Sequence, residues 1–102
     1  MTTIERIVCA AIYIDDGVEH PLQPRNITRG VVISGLRHCN CIVTARLWIT
    51  DRAVDVDRDS GFVTSNHRYV NRQEAMQIAV NAGQVQIADV SDPDCLYSED
   101  LY

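Results

Sequence analysis

The sequence predicts an α+β fold, a mostly antiparallel sheet with one or two packed helices, and two stretches carry that expectation. Residues 5–14 form a nearly continuous apolar run with Val8, Ala10, Ile12 and Ile14 on one side, the pattern of a central strand buried on both faces. Residues 61–84 read GFVTSNHRYVNRQEAMQIAVNAGQ, and strand, turn, strand, helix cap, amphipathic helix and helix stop follow one another within them.

In that second stretch Phe62, Val63 and Thr64 read as a short strand. Ser65 to His67 supply turn chemistry, and Arg68, Tyr69 and Val70 resume an extended run, so the whole is a tight hairpin. Asn71 can accept a backbone amide at a helix start, with Glu74 placed three residues on to reach back. The helix expected from this spans residues 72–82. Ala75, Met76, Ile78, Ala79 and Ala82 share a helical face, and Gly83 offers the left-handed residue that ends helices.

The remaining elements follow from weaker signals. Asp15, Asp16 and Gly17 make a turn, and residues 20–26 carry two prolines in a polar setting, which marks a loop or edge excursion. Residues 30–34 are a second strand that Gly35 breaks. In residues 36–49, Leu36, Cys39, Val43 and Leu47 suit a helical face, whereas Ile42, Val43, Thr44 and Trp48 favour strands. A helix from about His38 toward Trp48 is the preferred reading. Residues 50–60 alternate aspartate with valine and read as a surface loop or short edge strand.

A chain of 102 residues suits one domain, and so small a core often gains from self-association into a dimer or higher oligomer. No stretch is long and apolar enough to span a bilayer, and the N-terminus lacks the pattern of a signal peptide, so a cytoplasmic protein with no membrane partner is expected. Cys9, Cys39, Cys41 and Cys95 are then expected to be thiols. Cys39 and Cys41, one residue apart beside His38, do not match the usual spacing of zinc ligands, and no metal or cofactor is expected.

A net charge of −5 argues against a binder of DNA or RNA polymers, which needs a basic surface. All nine basic side chains are nonetheless arginine. The guanidinium grips phosphate in two places and stacks on rings, so the composition could suit a compact anionic ligand; coding bias toward arginine and ordinary solvated salt bridges explain the same composition and are the stronger reading. The final residues 95–102, CLYSEDLY, put Leu96, Tyr97, Leu101 and Tyr102 around an acidic pair, a tail that docks on its own domain or on a neighbouring subunit.

Four blocks together resemble a known family: IVCAAI at residues 7–12, GLRHCNC at 35–41, GF followed by RYVNRQEAMQIAVNAGQ between 61 and 84, and LYSEDLY at 96–102. That bacteriophage family includes the type 1 Thoeris anti-defence proteins. The resemblance implies a small α+β protein that assembles as a dimer or higher oligomer in the infected bacterial cell. It further implies a sponge, which binds cyclic ADP-ribose isomers made by bacterial TIR-domain enzymes and does not cleave them. Some relatives also bind cyclic oligonucleotides. Residues 18–28 and 50–60 fall outside the resemblance and leave the preferred nucleotide open.

A cyclic ADP-ribose presents a pyrophosphate, an adenine face and ribose hydroxyls, which call for arginine, an aromatic ring and amide or carboxylate groups. The ligand-binding candidates are Arg37, His38, Phe62, Asn66, Arg68, Tyr69, Asn71 and Arg72. Arg37, Arg68 and Arg72 would hold phosphate, and Phe62 or Tyr69 would stack on the base. Each has a structural alternative: Phe62 and Tyr69 as core, Asn71 as a helix cap, His38 as a buried, hydrogen-bonded imidazole. Catalysis is not expected, because His38 with Cys39 or Cys41 are neighbours that point differently and no Ser/His/Asp order or paired-carboxylate motif is present. A protein-binding module that inhibits a host factor is the other open class.

Overall fold

A computed structural model of the chain describes residues 4–48 and 59–101. Strand β1 (Ile7–Ile14), strand β2 (Val31–Gly35), helix α1 (His38–Trp48), strand β3 (Ser60–Thr64), strand β4 (Tyr69–Asn71) and helix α2 (Arg72–Asn81) follow in that order. Single 3-10 turns cover Ile87–Asp89 and Ser98–Asp100. The strands form one antiparallel sheet in the order β2-β1-β3-β4, so the fold is α+β as the sequence predicts.

β1 is interior, as its apolar run requires, but its buried side is not the one the simple alternation gives. Ile7 pairs with Thr64 and Cys9 with Val63, so Val8 is an extra residue bulged out of the ladder to β3, and it is 53% exposed. The bulge carries Ile7, not Val8, onto the face of Ala10, Ile12 and Ile14. The side-chain amide of Gln84 fixes this end: Ile7 N–H donates to its Oε1 at 2.7 Å and its Nε2 donates to Ile7 O at 2.8 Å.

α1 corrects the sequence reading more sharply. Its limits are those expected, yet Leu36, Val43 and Leu47 are 61%, 61% and 82% exposed, and Cys39 is exposed as well. The helix instead buries His38, Cys41 and Ala45 against the sheet, with Cys41 Sγ 3.5 Å from Ala10 O. Cys41 and Ala45 are small and let the helix pack closely on β1, and His38 is buried through its bond to Gly61 O; the leucines and valine satisfy the same 3.6-residue period and lie on the outside.

α2 follows its signals closely. Asn71 Oδ1 accepts from Glu74 N–H at 2.8 Å and caps the start, while Ala75, Met76 and Ala79 are buried. At the other end Gly83, at φ +74°, donates to Val80 O at 3.1 Å and Gln84 N–H donates to Ala79 O at 2.8 Å, the paired bonds of a Schellman stop. Both helices feed one core with Ile12, Phe62, Val70 and Leu96.

The proline-bearing loop is anchored at both sheet edges. Gln23 Oε1 accepts from Val32 N–H at 2.8 Å on β2, and Asn26 exchanges two hydrogen bonds with the backbone of Tyr69 on β4, at 2.6 and 2.8 Å. This pairing occupies an otherwise open strand edge. β2 begins one residue later than expected because Gly30, at φ +95°, turns the chain into it. Of the predicted loop 50–60, residues 50–58 lie outside the described residues, and Ser60 belongs to β3. The C-terminal tail docks on its own domain through Leu96, which is fully buried. No helix of the described residues is long and apolar enough to cross a membrane.

Candidate functional site

α2 begins at the end of the sheet where Ser60 and Gly61 enter β3; α1 follows β2, whose last residue Gly35 pairs with Ala10 level with Phe62, and its first side chain, His38, reaches Gly61. The C-terminal tail touches both helix starts. His38, the first residue of α1, donates its backbone N–H to Ser98 Oγ at 3.4 Å. Leu96 N–H donates to the carbonyl of Arg72, the first residue of α2, at 3.1 Å. The N-terminal ends of two helices thus meet the same tail segment, where the helix dipoles leave partial positive charge that favours an anion.

The side chains there interlock. His38 Nε2–H donates to Gly61 O at 2.7 Å, and the ring meets Phe62 edge to face with centroids 4.9 Å apart. Burial holds the His38 pKa below its ordinary value and the Arg72 charge adds to that, while the bond to Gly61 and the carboxylate of Glu99 oppose it. The imidazole is therefore neutral near pH 7. Arg72 places its guanidinium carbon 4.6 Å from the centre of the Tyr97 ring, a cation–π contact that fixes its direction. Its Nε and Ser60 Oγ are buried and have no hydrogen-bond partner among the described residues.

Tyr69 projects from the edge strand, half-buried, with its ring 5.5 Å from that of Tyr13 and its hydroxyl donating to Asp59 O at 3.0 Å. Burial pushes its phenol pKa well up. Gly61 makes room for it: a Cβ there would lie 2.5 Å from the Tyr69 hydroxyl and would also meet the Val70 carbonyl.

The candidates read from sequence divide between the two ends of the β3–β4 hairpin. His38, Phe62 and Arg72 gather at the helix starts, whereas Tyr69 lies on the opposite face of the sheet against Tyr13, and Arg37, half-buried, immediately precedes α1 with its N–H on Asn40 Oδ1 at 3.1 Å. Phe62 has no exposed surface and lies in the core. Asn66 and Arg68 belong to the opposite end. Asn66 is exposed in the turn, its N–H on Thr64 Oγ1 at 3.3 Å. Arg68 forms a bidentate pair with Glu5, Nε to Oε2 at 2.9 Å and Nη2 to Oε1 at 2.8 Å, and Glu74 approaches at 3.4 Å. The Arg68 bonds, above all, bring the Glu5 carboxyl down to about 2. Asn71 is occupied as the cap of α2.

Ser60, Tyr97 and Ser98 were not among the sequence candidates. Tyr97 and Ser98 carry a signal, the aromatic tail; Ser60 carries none, because only the strand register puts it there. Cys41, the buried thiol three residues after His38, is pushed up to about 11 by burial and is protonated at neutral pH. A separate shallow groove of about 380 Å³ lies along the later turns of α2, lined by Met76, Gln77, Val80, Asn81, Ile87 and Pro93, and contains none of the candidates.

Comparison with curated proteins and with solved structures gives no match. Residues 6–102, nearly the whole chain, match the phage T4 y16D protein family, and the protein belongs to that family.

Proposed function

We propose that this phage-family protein sequesters a cyclic ADP-ribose type signalling nucleotide without cleaving it and so blocks Thoeris immunity in the infected cell. The resemblance of the four sequence blocks motivates the reading. The observation that carries it is Arg72: an oriented guanidinium with an unpartnered, buried Nε, placed where two helices begin. Arg72 and Arg37 face the phosphates in this reading; Phe62 is fully buried, so the base falls to Tyr69, which lies on the opposite face of the sheet. Arg68 is the weakest of the three arginines for this role, since Glu5 already fills its fork. Cys41, the thiol buried near the cluster, is held protonated by burial, which suits binding over catalysis. The protein works as at least a dimer in the cytoplasm of the host, with no metal or cofactor.

Calorimetric titration with a panel of cyclic ADP-ribose isomers and cyclic oligonucleotides tests this. Saturable binding, with intact nucleotide recovered after heat denaturation, is expected; recovery of a cleaved product would make the protein a hydrolase, and no binding across the panel would remove the reading. The second reading, inhibition of a host factor by direct protein contact, is favoured by the exposed apolar side chains of Leu36, just before α1, and of Val43 and Leu47 on it. It predicts a co-purifying partner chain and no nucleotide.

A further inference from the structure

Buried polar groups in folded proteins are nearly always hydrogen-bonded, so an orphan marks either strain or a place for something else. Two occur among the described residues, Ser60 Oγ and Arg72 Nε. Gly61 and Asn71 are the last pair of the β3–β4 ladder, so Ser60 and Arg72 are the residues next beyond it on the two segments. Ser60 is only 3% exposed and lies on the strand face that carries Phe62, with which His38 packs.

The donors around them are already spent on one another. The His38 ring is turned to Gly61 O and the His38 amide to Ser98 Oγ. The Tyr97 ring holds the Arg72 guanidinium from one side. What is left unsatisfied is one O–H, which can donate, and one N–H, which can only donate. Two unpartnered donors at the end of the β3–β4 ladder, one of them at the start of α2, call for an acceptor that carries negative charge.

We infer that Ser60 and Arg72 form a two-donor oxyanion subsite for a pyrophosphate group, with Tyr97 as the positioning residue that aims Arg72. Ser60 O–H and Arg72 Nε–H each donate to a phosphoryl oxygen, and the C-terminal tail is a wall of the subsite. The assignment of that pyrophosphate to a cyclic nucleotide rests on the proposed function; the oxyanion chemistry does not.

The test is calorimetric titration of the parent, Ser60→Ala and Arg72→Lys with inorganic pyrophosphate and, separately, with cyclic ADP-ribose, together with the thermal midpoint of each protein. Ser60→Ala is expected to weaken pyrophosphate about tenfold while its midpoint stays level or rises, because an unpartnered buried hydroxyl has been removed. Arg72→Lys keeps the charge, loses the fixed Nε donor, and is expected to weaken pyrophosphate by a similar factor. Parent-like pyrophosphate binding by both variants, or a clear fall in the Ser60→Ala midpoint, overturns the subsite. If the parent and Ser60→Ala bind cyclic ADP-ribose equally, the nucleotide reading stands and the subsite fails. If the parent binds pyrophosphate but no cyclic ADP-ribose, and Ser60→Ala binds neither, the subsite stands and the nucleotide reading loses its principal support.

Discussion

Arg68 and Arg72 flank the three residues of β4, and their surroundings are opposite in kind. Arg68 lies at the turn end, with a carboxylate on each side and its fork saturated by Glu5. Arg72 lies at the helix end, stacked on a ring with one buried N–H unsatisfied. The same side chain serves as a structural clamp in one place and as an unfilled donor in the other. The fold around an arginine decides which, and charge counting along the chain cannot.

The largest effect expected is from a change that breaks the ladder between the two ends. Gly61→Ala puts a methyl group where the Tyr69 hydroxyl would be 2.5 Å away and the rigid Val70 carbonyl also stands, so the hairpin must shift. A loss of about 3 kcal/mol in unfolding free energy is expected in urea titration, since overpacking a tight site commonly costs 1–3 and backbone cannot yield easily. A loss under about 1 kcal/mol would mean that the hairpin is looser than this packing implies.

Arg68→Ala sharpens the comparison from the structural side. It breaks a partly buried bidentate pair, and a stability loss of about 1–2 kcal/mol is expected, with ligand affinity unchanged. The same pair sets a pH dependence. Glu5 titrates near 4.5 when unfolded and at about 2 when folded, so its contribution is fully present above pH 4.5 and is lost as pH falls from there toward 2. Glu5→Gln should flatten the stability profile in that window; an unchanged acid slope would show that the pair does not form in solution.

At the other end Tyr97→Ala removes the surface that aims Arg72. A weakening of binding by about 1 kcal/mol, a fewfold in Kd, is expected from the loss of the cation–π contact. The smallest effect concerns His38. Its folded pKa lies below 6.5, so the unfolded chain takes up the proton first and stability declines as pH falls below that value. His38→Gln, which keeps a donor for Gly61 O, should remove that decline and leave stability near pH 7 within about 1 kcal/mol of the parent.

The unequal legibility of these regions has a physical basis. α2 was readable end to end because its cap and its stop are local: Asn71 and Gly83 act within three residues of themselves. The extent of α1 was readable too, but its buried face was not. Leu36, Val43 and Leu47 fit the helical period as well as His38, Cys41 and Ala45 do, and only close packing on β1 selects the smaller set. Val8 was misplaced because nothing in its neighbours announces a bulge. In the candidate site, residue types were legible and their partners were not. Glu5 lies 63 positions from Arg68 in sequence, and Ser98 lies 60 from His38, so neither pairing leaves a local pattern.

The most direct measurement is a paired titration of Arg68→Ala and Arg72→Ala with the cyclic ADP-ribose isomer panel, alongside the unfolding free energy of each. Arg72→Ala is expected to bind about tenfold to a hundredfold more weakly with stability nearly unchanged, as losing a charge-assisted contact to a desolvated phosphate costs about 1.5–3 kcal/mol. Arg68→Ala is expected to bind as the parent does and to unfold more easily. The reverse assignment, with Arg68→Ala losing the ligand and Arg72→Ala retaining it, would contradict the account.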